Sequence, residues 1–215
     1  MLKKPWGGRF KKKTHKVAER FSASIETDKR LYREDIEGSI AHAKMLGQVG
    51  IISQKEAKSI IKGLKEIQKE IENGKFPFRE EFEDIHLNIE KRLIEKIGET
   101  GGKLHTARSR NDQIVLDERL YLRRETTEIL ELIKRVAEEF IRLAEENIDV
   151  IIPLYTHLQV AQPVLLSHHM LAYFEMLKRD RERFIDCLKR INIMPLGVGA
   201  GAGTSFPIDR RYVAE

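Results

Sequence analysis

Between Asn111 and Asn147 the chain contains neither glycine nor proline, the two residues that most readily end a helix. Leu116, Leu120, Ile129, Ile133, Val136, Phe140 and Leu143 recur along it at helical spacing and make one broad apolar side. A helix over this stretch, at about 1.5 Å per residue, is roughly 55 Å long. A second long run, from about Pro163 to Ile191, carries Val164, Met170, Leu171, Phe174, Leu177, Phe184 and Leu188. Two helices with stripes this wide cannot cover each other completely. They belong in a bundle whose other members come from further sequence or from other subunits.

Shorter helices come first. One is predicted from about Arg33 to Gln48, with Ile36, Ile40, Ala43 and Leu46 on one face. The next opens with a capping box, Ser53 with Glu56 three residues on, and shows Ile60, Leu64, Ile67 and Ile71 before Asn73-Gly74 stops it. A third runs from about Glu83 to Ile97, with Ile85, Ile89, Leu93 and Ile97 in steps of four, and Gly98 ends it. Strand-type alternation is nearly absent. The fold class is therefore all-α: a small N-terminal helical domain over residues 1–109, then the first long helices of a central helical bundle over residues 110–215. Ile208 to Glu215 reads as the opening turns of one more helix.

Composition narrows the function classes. The chain is 41% hydrophobic and 34% charged, and no run is long and apolar enough to cross a bilayer. The N-terminus has no apolar signal region, so a cytoplasmic location is expected. Cys187 is the only cysteine, which rules out an intrachain disulfide, and it reads as a small core or interface residue. The net charge of +5 is mild. The one basic run, Lys11-Lys12-Lys13 beside Arg9 and Lys16, reads as a solvated face. Neither nucleic acid nor a membrane is an expected partner.

Four polar segments interrupt the helices. Phe21-Ser22-Ala23-Ser24 reads alone as a loop or helix cap. In Glu83-Asp84-Ile85-His86, Asp84 can cap a helix, and His86, on a partly polar face, reads alone as a surface histidine. The segment from Gly101 to Asp112 is expected to be a glycine-led loop. It holds Lys103, His105, Arg108 and Arg110 and opens the long helix. Such a set is either a cradle for carboxylate or phosphate or a solvated basic loop. Finally, His157 lies in a short extended segment, Tyr155 to Pro163, between the long helices. Histidine is a residue type suited to proton transfer, and a structural histidine is the alternative. Gly197-Val198-Gly199-Ala200-Gly201-Ala202 meets a loose dinucleotide pattern but follows a charged helix rather than a strand, so it reads as a flexible connection.

Taken together, these segments resemble the argininosuccinate lyase family of the fumarase/aspartase superfamily. The stretches that carry the likeness are Trp6 to Phe10, Asp35 to Ser39, Glu83 to His86, Gly102 to Gln113, Tyr155 to Gln159 with Ala161-Gln162-Pro163, and Met194 to Gly197. They occur in the family's order along the whole chain. The resemblance implies an anti β-elimination that splits argininosuccinate into arginine and fumarate, without cofactor or metal, in a homotetramer whose sites are shared between subunits. It implies that Ser24, Asn111 and Thr156 hydrogen-bond the substrate. It implies also that Ser109 and Arg110 help hold its carboxylates, that Asp84 and His86 lie at or near the site, and that His157 takes part in proton transfer. The family's serine-rich loop, Gly-Ser-Ser-x-Met-Pro-x-Lys-x-Asn, is absent from these residues, so the 215 residues alone are not expected to catalyse. Two other readings stay open: a related lyase of the adenylosuccinate lyase or fumarase type, and a structural helical protein of crystallin type.

Overall fold

A computed structural model describes residues 14–215. The stretch Trp6 to Phe10 and the basic run Lys11-Lys12-Lys13 lie outside the described residues. In chain order the elements are α1 (Lys16–Ser22), α2 (Ile25–Asp28), α3 (Tyr32–Gln48), α4 (Gln54–Glu72), α5 (Ile85–Ile97), α6 (Glu99–Gly102), α7 (Arg110–Glu146), β1 (Ile151–Thr156), β2 (Gln159–Leu165), α8 (Leu166–Ile191) and α9 (Arg210–Ala214). The described residues up to Tyr121 join Met194–Glu215 in one compact unit, and Leu122–Ile193 form a second.

The first unit is a helical core. The apolar faces anticipated for α3, α4 and α5 are buried together: Ile36, Ala43 and Leu46 meet Ile60, Leu64 and Ile67, and Ile85, Ile89 and Leu93. Sealing each of these isoleucine and leucine side chains from water stabilises the fold by about 1.5–3 kcal/mol relative to exposure. α4 and α5 approach closely because Gly63 has no side chain; a Cβ there would stand 2.6 Å from Leu93 Cδ1. The ends are set as the sequence implies. Ser53 Oγ accepts the Glu56 N–H while Glu56 accepts the Ser53 N–H, closing the capping box. Asp84 accepts the Leu87 N–H at 2.6 Å and caps α5, which therefore starts at Ile85 rather than Glu83. Ile208, Tyr212 and Val213, in and beside α9, pack against the same core.

The second unit contains the later part of α7, the β1–β2 hairpin and α8. Phe140 stacks on Tyr173 with centroids 5.5 Å apart, and Arg123 reaches Asn192 at 3.3 Å, so the helices run antiparallel. Among its described residues those buried are Thr126, Ala144 and Ser167. The hairpin departs from expectation: Gln159–Leu165 pairs with Ile151–Thr156, and α8 begins at Leu166 instead of Pro163. Pro153 stands opposite Pro163, which is tolerable because each strand is an edge. Val160 and Val164 favour the extended backbone. Cys187 is exposed, which removes the core half of its reading as a core or interface residue. Among the described residues no helix is long and apolar enough to cross a membrane.

Candidate active site

The turn that opens α7 is organised by its own side chains. The segment from Gly101 to Asp112 is not the open loop expected. Glu99–Gly102 is a helical turn, Lys103–His105 a tighter 3₁₀ turn, and Ala107 takes a positive φ of 64° before α7 starts at Arg110. Ser109 precedes the helix as its cap: Ser109 Oγ accepts the Asn111 N–H at 3.3 Å, and Asp112 Oδ1 accepts the Ser109 N–H at 3.0 Å. Asn111 is exposed, and Ser109 and Arg110 are half-buried. Arg110 is held by two partners, Gln113 Oε1 and Glu90 Oε2, each at 2.7 Å.

Beneath this turn lies a buried charge cluster that the sequence reading did not anticipate. His86 is 1% exposed, which corrects its reading as a surface histidine. Its Nδ1 stands 3.1 Å from Asp35 Oδ1 on α3 and 3.1 Å from Asp117 Oδ2 on α7. The Gln113 amide donates to Asp35, and Arg108 donates to Ser39 Oγ at 3.0 Å. Three helices thus meet at one imidazole. Burial disfavours the imidazolium, but the carboxylates of Asp117 and Asp35 outweigh it and raise the His86 pKa to about 10. Burial would also raise Asp35, yet His86, Arg108 and Gln113 hold it down to about 2. Asp117 is pushed up to about 8 by burial and by the charge of Asp35, against the pull of His86 and Arg108. His42 is driven down to about 3 by burial and by Arg108, so it is neutral and its Nε2–H donates to the Thr106 carbonyl at 2.9 Å.

Asp35, His86 and Asp117 also bring three possible metal-ligand atoms within 4.8 Å of one another. Their charges are already balanced by one another and by the nearby Arg108 guanidinium. A divalent cation there would face that guanidinium, so the cluster reads as an ion-pair network.

The Ser24 segment docks onto the start of α5. The Ser24 and Ile25 N–H groups donate to the Glu83 carbonyl at 2.9 and 3.0 Å. Ser24 Oγ donates to Asp28 Oδ2 at 2.6 Å, and Asp28 Oδ1 accepts the Ile85 N–H at 3.1 Å. Burial raises the Asp28 pKa against these hydrogen bonds. Ser24, Asp84, His86, Ser109, Arg110 and Asn111 therefore belong to one unit, joined through Asp28, Asp35 and Gln113.

Thr156 and His157 belong to the second unit, at the tip of the hairpin. His157 and Leu158 form a two-residue turn with φ of 51° and 62°, the hand that matches strand twist. Neither is glycine, so each holds a backbone that costs about 1–2 kcal/mol. Leu158 is 93% exposed, and nothing local in burial explains the choice of residue.

Residues 8–215 match the family described as lyase. The chain belongs to that lyase family. Within it, the chain is 60% identical over 215 residues to the argininosuccinate lyase of Syntrophotalea carbinolica, covering 100% of this chain and 47% of that protein. It spans just under half the length of the curated relatives it matches. A crystal structure of EDDS lyase in complex with formate is 28% identical, with a TM-score of 0.78 over 94% of this chain and 40% of the other. The fumarate lyase of Mesorhizobium sp. BNC1 shares the fold, with a TM-score of 0.64 at 21% identity over 86% of this chain and 42% of that one. The helical architecture is that of these lyases. The sequence reading gave no role to Asp35, Glu90, Asp112 or Asp117, although Asp35, Ser39 and His42 lie at helical spacing on one buried stripe of α3.

Proposed function

We propose that the chain supplies part of the active site of an argininosuccinate lyase, a carbon–nitrogen lyase of arginine biosynthesis that works in the cytoplasm as a homotetramer. The start of α7 carries this reading. An exposed Asn111, with Ser109 and Arg110, stands at a helix N-terminus that favours anions, in a chain 60% identical to a protein of that name. In the assembled protein, residues 1–109 would form the N-terminal helical domain and residues 110–215 the first part of the central bundle.

The substrate carries three carboxylates and a guanidinium-type nitrogen bonded to the succinyl carbon. A base removes a proton from the carbon beside a carboxylate. The freed electron pair becomes the C=C bond of fumarate, the C–N bond breaks, and the leaving nitrogen takes a proton to give arginine. Negative charge builds on carboxylate oxygens during the first step, so fixed donors lower the barrier. Asn111, Ser24 and Thr156 would donate or accept hydrogen bonds to the substrate, with Ser109 and Arg110 at its carboxylates. Arg110 would do so while braced by Glu90 and Gln113. Asp84 would shape the site by fixing the start of α5, and the buried His86 would act from behind it. His157 would take part in proton transfer. No cofactor or metal is called for by this chemistry, because a carboxylate itself accepts the developing charge.

The test is release of fumarate and arginine by the protein at the full length of its relatives. His157→Ala is expected to lower kcat by about 10²–10⁴-fold with the helical fold intact. An unchanged rate removes His157 from the mechanism, and a wild-type protein that acts on adenylosuccinate or malate instead overturns the substrate.

A further inference from the structure

Asp112 sits between the exposed Asn111 and the buried Gln113, is itself 5% exposed, and uses both carboxylate oxygens. Oδ1 closes the cap on Ser109. Oδ2 accepts the N–H groups of Gly199 at 2.7 Å and Gly197 at 3.3 Å, far along the chain. The glycine run after Pro195, expected to be a flexible connection, is therefore a tied turn. Within it the Gly203 N–H donates to the Val198 carbonyl at 2.6 Å and the Gly201 N–H to the same oxygen at 3.3 Å. Gly199 holds a φ of +62°, and a Cβ there would stand 2.9 Å from the Gly203 carbonyl oxygen. The turn thus closes only with glycine at that position.

We propose that Asp112 is a positioning residue that latches the 197–203 turn to the first turn of α7, so that this turn forms a wall of the carboxylate-binding site at Asn111. The proposal rests on the reading of that site given above. Two backbone N–H groups on one carboxylate oxygen fix the orientation of the turn as well as its place. The same side chain sets the cap on which Ser109 and Asn111 depend, so the wall and the donors move as one piece. Asparagine has the shape of aspartate but one acceptor oxygen where aspartate has two, so it can satisfy the cap or the latch but not both.

The experiment compares Asp112→Asn, Asp112→Ala and Gly199→Ala in the protein at the full length of its relatives. It reads argininosuccinate elimination together with hydrogen exchange at the amides of 197–203. Asp112→Asn is expected to lower kcat/KM about tenfold and Asp112→Ala about a hundredfold, mainly through KM. Exchange at Gly199 is expected to quicken about tenfold in Asp112→Ala. Gly199→Ala opens the turn from the other side with the Ser109 cap untouched, and should raise KM by itself. An aspartate that only capped α7 would leave Gly199→Ala with wild-type kinetics, and that result overturns the proposal. Unaltered Gly199 exchange in Asp112→Ala overturns it as well. A wild-type protein that releases no fumarate refutes the proposed activity instead, and the latch is then decided by the exchange data alone.

Discussion

In the first unit Ile36, Ile60, Leu64 and Ile85 are each at most 1% exposed. In the second, Leu132, Val136, Leu171 and Met176, on helices with equally regular apolar spacing, are 44%, 48%, 41% and 49% exposed. The contrast follows from how many helices converge. α3, α4 and α5 cover one another from several sides, whereas in the second unit the later part of α7 and α8 pack on each other and each keeps exposed apolar side chains. The first unit also buries polar groups, several of them paired: His86 with two carboxylates, His42 with a carbonyl, Arg108 with Ser39. Regular apolar periodicity thus predicts a helix equally well in both units but predicts a core only where enough helices meet.

The sharpest way to separate the units is through the charge cluster. His86→Ala leaves Asp35 and Asp117 buried without their cation and is expected to cost about 3–5 kcal/mol, measured by urea unfolding followed by circular dichroism. A cost below about 1 kcal/mol would mean that the three helices are held by apolar contacts alone. Next in size is Ile60→Ala, expected to cost about 2–5 kcal/mol, against less than about 0.5 kcal/mol for Val136→Ala in the same chain. Equal costs would erase the difference between the units.

The pH dependence should also belong to the first unit. His86, raised to about 10, contributes stability that is complete below its ordinary 6.5 and fades as pH rises through about 10. Asp117, raised to about 8, binds its proton more tightly folded than unfolded, so stability falls between its ordinary 3.8 and about 8. Asp35, lowered to about 2, contributes stability above 3.8 that is lost as pH drops toward about 2. The cluster therefore stabilises most at mildly acidic pH and weakens steadily toward pH 10. Asp117→Asn should flatten the part of that slope below about pH 8, read from melting temperatures across the range. The smallest effect is at the hairpin: Leu158→Gly, at φ +62°, should protect the hairpin amides by about 1 kcal/mol in hydrogen exchange. No gain there would mean that the positive φ is not a source of strain.

Much of the helical layout is legible in the sequence. The α3, α4 and α5 faces, the Ser53 capping box and the long α7 follow from period and caps, which are local properties. The hairpin was not legible, because Tyr155 to Pro163 is short and lacks a glycine turn; His157 and Leu158 supply positive φ without the residue type that signals it. His86 was misread for a related reason. Adjacent to Ile85, it looked like the edge of a polar face, and only the arrival of α3 and α7 turned that edge inward.

Chain-local chemistry, then, accounts for which stretches become helices and where they begin and stop, since propensity, capping and apolar period act over a few neighbouring residues. Which charges lie buried, which oxygen of Asp112 meets Gly199, and why one pair of long helices keeps its apolar flank open are matters of distant segments meeting. Desolvation and hydrogen-bond geometry depend on what stands opposite a side chain, and no pattern within a single helix records that.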